Sequence, residues 1–197
     1  MLQSVATPKS LTTMQPFFRE LAVNRETALA LFEGLDASQL VWRPSATRWG
    51  LADIGGHLAT TASLYLPALD AAIRAGHDAA AYSDRAFRGS MVSRAVVWNM
   101  EPPVRLRMRA PKAFLPPADL GPVEARHRYL ASQQLLELRL ERAAGLDLTH
   151  VRVTLPTIRV ARSALGSVLA MLLAHERRHL WQATEVRNAT GFPAMAG

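Results

Sequence analysis

The chain has 197 residues, 49% of them hydrophobic and 20% charged, the balance of an ordinary globular protein long enough to bury a substantial core. No apolar run reaches the ~20 residues of a membrane span. No cysteine is present for disulfides or thiolate chemistry, and the start lacks the charged and apolar regions of a secretory signal. The expectation is one cytoplasmic domain over residues 1–197. The net charge of +7 does not read as a nucleic-acid footprint, because 21 of the 23 cationic residues are arginines scattered from Arg19 to Arg187 without a basic block.

In chain order, residues 11–34 form a first helix, with Leu11, Met14, Phe17, Phe18, Leu21, Ala28, Leu31 and Phe32 on its apolar side and Gly34 as its stop. A short connection carries Trp42-Arg43-Pro44. Trp49-Gly50-Leu51-Ala52-Asp53 then opens a second helix over 51–75, with Asp53 near the positive helix end. Ile54, Leu58, Thr61, Leu64, Tyr65, Ala68 and Ala72 share its buried face, and His57 falls at the edge of that face. Gly55-Gly56 costs about 1 kcal/mol per glycine inside a helix, which points to a close approach to the backbone there, through tight packing or through function. Pro67 removes a backbone bond in mid-helix.

Residues 77–122 break the helical rhythm, apart from a short helix through Met91–Trp98. Val104–Arg109 alternates apolar and basic residues between two proline pairs, which suits an extended segment whose arginines are a solvated face or an anion contact. So long a connection implies a crossover between the ends of a bundle, or a lid. A third helix follows over 122–144 with Gly145 as its stop, and residues 146–162 link it to a last helix over 163–189. Four long helices in a strand-poor chain make an all-α four-helix bundle.

In the last helix, Leu165, Val168, Leu169, Leu172, His175, Glu176, His179, Ala183 and Val186 recur at intervals of three and four. His175 and His179 therefore lie inside the core-facing stripe, close enough at i,i+4 to share a metal ion. The alternative is a pair of hydrogen-bonded core histidines, and a third ligand decides between them. Bundles build metal sites from facing helices, so His57 is the candidate. Its depth matches that of His179 only if the second and fourth helices run antiparallel, which needs the long crossover. His77, His127 and His150 have no partners at ligand spacing.

Trp42-Arg43-Pro44, Trp49 through Ala59 with its His57-Leu58-Ala59 step, and His175-Glu176-Arg177-Arg178-His179-Leu180-Trp181-Gln182 together resemble the DinB superfamily. Gly50 stands where serine is usual in the family. The middle of the chain matches only in layout. The resemblance implies a bundle of up-down-down-up topology, with the long crossover between helices two and three. It also implies a divalent metal, variously nickel, zinc, manganese or iron, on His57, His175 and His179. Many members are homodimers, and some relatives transfer low-molecular-weight thiols.

Three imidazoles leave coordination positions for a small-molecule substrate, which suits a metal-dependent transferase or hydrolase. Glu176 lies on the same inward arc and is the candidate base or ligand-orienting group, unless it pairs with a buried arginine. Gln182 is a candidate hydrogen-bonder to a ligand histidine. His175-Glu176-x-x-His179 also spells a zincin motif, but no histidine follows and Glu185 points to another face of the helix. The competing expectation is a bundle that binds metal or a partner, such as nucleic acid, without turnover. Trp181, opposite the apolar stripe beside Arg177 and Arg178, marks a homodimer contact or a surface covered by the crossover.

Overall fold

A computed structural model describes residues 8–103, 105 and 110–194. The helices are α1 (Pro8–Phe32), α2 (Ala37–Val41), α3 (Leu51–Asp78), α4 (Met91–Met100), α5 (Pro122–Ala143) and α6 (Leu165–Arg187), with one 3-10 turn at Lys112–Phe114. The four long helices and the short one after Gly89 stand where periodicity places them. α3 continues through Pro67. The expected link over 146–162 is instead largely a hairpin of β1 (Arg152–Leu155) and β2 (Ile158–Ala164), paired antiparallel with Val153 opposite Ser163. Val151 and Val153 turn inward at a period of two, a strand signal too short to stand out beside long helices. The protein is thus mostly helical with a small two-stranded sheet.

Each long helix crosses two buried clusters. The first joins Met14, Phe17 and Leu21 of α1, Leu69 and Ile73 of α3, Leu140 and Ala143 of α5, and Leu165, Val168 and Leu169 of α6; Val153 of β1 closes it. The second joins Ala28 and Phe32 of α1, Leu51, Ile54 and Leu58 of α3, Tyr129 of α5, and Leu180, Ala183 and Val186 of α6. α3 enters at the second cluster and leaves at the first, while α6 does the reverse. The two helices therefore pass each other in opposite senses, as the depths of His57 and His179 require. α3 packs on α5 and α6, and α1 packs on α5 and α6.

The long connection between α3 and α5 folds back over α6. Arg177 donates through Nη2 and Nε to Glu101 (2.5 and 3.1 Å) and through Nη1 to Glu20 (3.0 Å), while Arg178 donates to the Asn99 carbonyl (2.9 Å). The crossover, together with Glu20 of α1, thus occupies these two arginines, while Trp181 beside them stays 36% exposed. The extended segment expected over Val104–Arg109 lies, apart from Arg105, outside the described residues. Arg105 sits 4.3 Å above the Trp98 ring and donates to the carbonyls of Trp98 and Glu101. Further along, the crossover presses on α3: a Cβ on Gly56 would stand 2.8 Å from Pro116 Cβ and 3.3 Å from Leu120. Gly56 is the close approach that the glycine pair implies, and its agent is chain packing.

Candidate metal centre

Trp49 and His57 are placed by a tightly built start to α3. A Cβ at Gly50 would meet the Trp42 carbonyl oxygen at 2.3 Å, so serine has no room here. Asp53 accepts the Gly50 N–H (2.8 Å) and pairs with Arg43 through both oxygens (2.6 and 2.8 Å). Together these contacts tie the Trp42-Arg43-Pro44 turn to the first turn of the helix. The half-buried Trp49 ring is then stacked near His179 and tilted against His57, with centroids 5.9 and 5.0 Å away.

His57 from α3 and His175 and His179 from α6 converge. Their candidate ligand nitrogens all lie within 4.8 Å of one another, and the Nε2 atoms of His57 and His175 are 3.2 Å apart. His57 Nδ1 meets the Phe114 carbonyl at 2.8 Å; a carbonyl only accepts, so the proton is on Nδ1 and the Nε2 lone pair points into the cluster. The Phe114 carbonyl belongs to the crossover, whose Phe114 ring stacks on Tyr65 of α3. His179 Nδ1 lies 3.1 Å from Gln182 Oε1, the hydrogen bond expected of Gln182 from its spacing, and this too leaves Nε2 facing inward.

Burial favours the neutral form of all three rings. Burial lowers the pKa of His57. His175 is pushed down to about 3 by burial first, then by the neighbouring His57 and the Arg178 guanidinium. His179 lies well below the usual histidine range, again chiefly from burial and then from His175 and His57. Neutral imidazole is the form that binds a metal. Bonds of about 2.0–2.1 Å to one ion put ligand nitrogens roughly 3 Å apart, close to the observed 3.2 Å. The residues fit a divalent ion. Among the described residues this is the one such group of three. His77, His127 and His150 are exposed; His77 contacts the Arg142 carbonyl and Tyr82, and His150 contacts Asp147.

Glu176 is buried beside the cluster but does not pair with an arginine. Its Oε1 accepts from Tyr129 Oη (2.7 Å) and Gln133 Nε2 (2.6 Å), and its Oε2 accepts from Asn24 Nδ2 (2.8 Å). Asn24 also reaches the Leu173 carbonyl (3.1 Å). Burial raises the Glu176 pKa, and the three donors oppose that rise. Because both amide nitrogens turn to the carboxylate, the oxygens Asn24 Oδ1 and Gln133 Oε1 have no hydrogen-bond partner among the described residues. Glu185, the zincin alternative, is exposed.

Two cavities flank α6. One of about 310 Å³ lies against α4, lined by Phe87, Arg94, Trp98 and Ser167 among others. The other, about 40 Å³, lies between α3, α5 and α6 and has His175, Glu176, Gln133 and Tyr65 in its wall. Asn24, Tyr129, Gln133 and the Phe114 carbonyl do not stand out in the sequence, since each gains its role only when another element packs beside it. Trp49 was visible only as part of the start of α3.

No curated protein and no solved structure matches the chain. The DinB superfamily model matches residues 20–183, a span that includes the three histidines, Trp49, Glu176 and Gln182. The chain belongs to the DinB superfamily.

Proposed function

We propose that this protein is a single-domain, divalent-metal-dependent enzyme of the thiol-transferase or hydrolase kind, with His57, His175 and His179 as the metal ligands. The observation that carries the reading is the orientation of the rings: Phe114 and Gln182 hold Nδ1 of His57 and His179, so that Nε2 of each faces inward. Three neutral imidazoles suit nickel, zinc or iron, with manganese a weaker match. A bound ion of this kind would lower the pKa of a water or thiol held on it. The chain has no cysteine, so any sulfur nucleophile comes from a low-molecular-weight thiol.

The protein's own groups bind and orient. Trp49 covers one side of the cluster and limits access of water to the imidazoles. Glu176, with three of its roughly four acceptor positions filled, acts on the bound ligand as a base or as an orienting group. The scaffold is an up-down-down-up four-helix bundle. In support, α1 and α6 run from the first core cluster to the second, while α3 and α5 run the other way.

The test of activity is a panel of thiols and electrophiles assayed with metal-loaded and metal-free protein. The reading expects acceleration only in the loaded protein, abolished by His175→Ala. Equal rates with and without metal across the panel would remove the transferase reading and leave hydrolysis or simple binding.

A homodimer is supported by the apolar outer side of α4, where Met91, Val92 and Trp98 are 86%, 76% and 60% exposed. Light scattering that shows a monomer across micromolar concentrations would count against it. Among the described residues no helix is long and apolar enough to cross a membrane.

A further inference from the structure

α4 does not lie flush on α6. Between them is the cavity of about 310 Å³, on the side of α6 turned away from the histidine cluster. Ala170, in its wall, is roughly 140° round the helix from His175 and roughly 180° from His179. The space exists because small residues face each other there: Ser167 and Ala170 on α6, Ser93 on α4, and Gly89 just before α4. One wall is held from behind. The Phe87 ring lies on Gly166, where a Cβ would stand 2.5 Å from it, and is tilted against Phe17 of α1 with centroids 6.2 Å apart.

Phe87, Val97, Trp98 and Ala170 make the lining mainly apolar and bring two aromatic side chains to it. Of the polar groups, Ser93 Oγ is tied to the Ser90 carbonyl (3.0 Å), and Ser167 is a neutral hydroxyl. Arg94 is the one charged residue in the wall among the described residues, and no carboxylate lines the cavity. Arg94 and Trp98 stand one turn apart on α4, so their side chains leave the helix on the same side. Both are exposed, and they mark the mouth. The surroundings add positive charge: Arg105 sits 4.3 Å above the Trp98 ring, while Glu101, at the end of α4, is bound by Arg177. A volume of this size falls at the lower end of small-molecule sites. An apolar, aromatic-walled space with a cation at its mouth complements a flat apolar body that carries one anionic end. A cationic ligand would meet Arg94 with like charge.

We propose that the cavity between α4 and α6 is a binding site for a small aromatic carboxylate, with its ring system against Phe87 and Trp98 and its carboxylate on Arg94. The site is separate from the histidine cluster and does not depend on what the histidines bind. The outer side of α4 that supports a homodimer shares Trp98 with the cavity, so a second copy of the chain is the competing occupant.

The test is an NMR titration of the full chain that follows the Trp98 indole N–H signal, assigned by its loss in Trp98→Phe. Naphthylacetate is the probe, with naphthylethanol as the neutral analogue and naphthylethylamine as the cationic one. The expected result is a saturable shift with naphthylacetate, at an affinity at least about threefold above the alcohol, the modest factor of a partly exposed ion pair, and with the amine weakest. Arg94→Gln, at an exposed position, should erase this preference and leave the affinity for the alcohol unchanged. Ala170→Leu fills the cavity and should weaken naphthylacetate binding by about tenfold or more. Equal affinities for the three ligands would overturn the carboxylate assignment. Unchanged binding in Ala170→Leu would place the probe outside the cavity, and the absence of any saturable response would remove the site. A Trp98 signal that moves with protein concentration alone, and no longer responds to naphthylacetate, would give this face to a second copy.

Discussion

His175 and Glu176 are neighbours in the chain, both carried inward by α6, and they enter opposite environments. His175 joins two other neutral imidazoles, with a ring nitrogen 3.2 Å from that of His57 and no carboxylate among the three rings. Glu176 joins Asn24, Tyr129 and Gln133, which bring it three donors. The imidazoles are electron-pair donors gathered around a point, so they lack an electrophile. The carboxylate is an acceptor whose donors are already supplied. Neighbouring positions of α6 thus carry a candidate metal ligand and a carboxylate tied to α1 and α5, and the two respond to different perturbations.

The sharpest way to separate them is Glu176→Ala. It strips the acceptor from three buried donors at once and should lower stability by about 3 kcal/mol or more. Chemical denaturation of metal-free protein measures this. His175→Ala, under the same conditions, should lower stability by less, since it removes a ring whose partner is another imidazole. If the order were reversed, the division between anchor and ligand set would be wrong.

Acid should distinguish the two regions by sign. A histidine held below its unfolded pKa of about 6.5 lets the unfolded chain bind more protons, so its contribution to stability is lost as pH falls below 6.5, over a window that extends to about 3 for His175. Glu176 is raised by burial, so in the window just above its ordinary range the folded state binds more protons and acidification favours folding. Three histidines outweigh one glutamate, and metal-free protein should lose stability from pH 6.5 downward. Glu176→Gln removes the opposing contribution and should steepen that loss, as unfolding midpoints across the range will show.

Smaller effects are expected at the groups that support the cluster. Gly56→Ala sets a methyl group 2.8 Å from Pro116 Cβ and should cost about 1–3 kcal/mol, with weaker metal binding because the displaced crossover carries the Phe114 carbonyl. Gln182→Ala frees His179 Nδ1 and should weaken metal binding by about tenfold with little effect on stability, measured by competition with a chelator.

How far the sequence reveals these regions depends on the range of the interactions. Both i,i+4 histidines and Gln182 share one helix, where spacing alone relates them. His57 required a topological argument, because α3 and α6 meet only if the chain crosses over between them. Glu176 is visible as an inward residue, but its partners are not: Asn24 lies 152 residues away and Gln133 lies 43 residues away, each polar at an otherwise ordinary helix position. The β1–β2 hairpin was hidden because four residues of alternation carry little signal beside helices of more than twenty. Arg177 and Arg178, outward by periodicity, are covered by a crossover whose path no local pattern describes.

The central claim is that three histidines from two helices form one metal site. The most direct measurement is the metal content of purified protein, and of His57→Ala, after equilibration with a divalent ion and removal of excess. The account predicts one ion per chain in the parent protein and a sharp loss in His57→Ala, with His77→Ala, His127→Ala and His150→Ala unchanged. Full retention in His57→Ala would contradict it, because the ligand set would then not include α3 and the convergence of the rings would be packing alone.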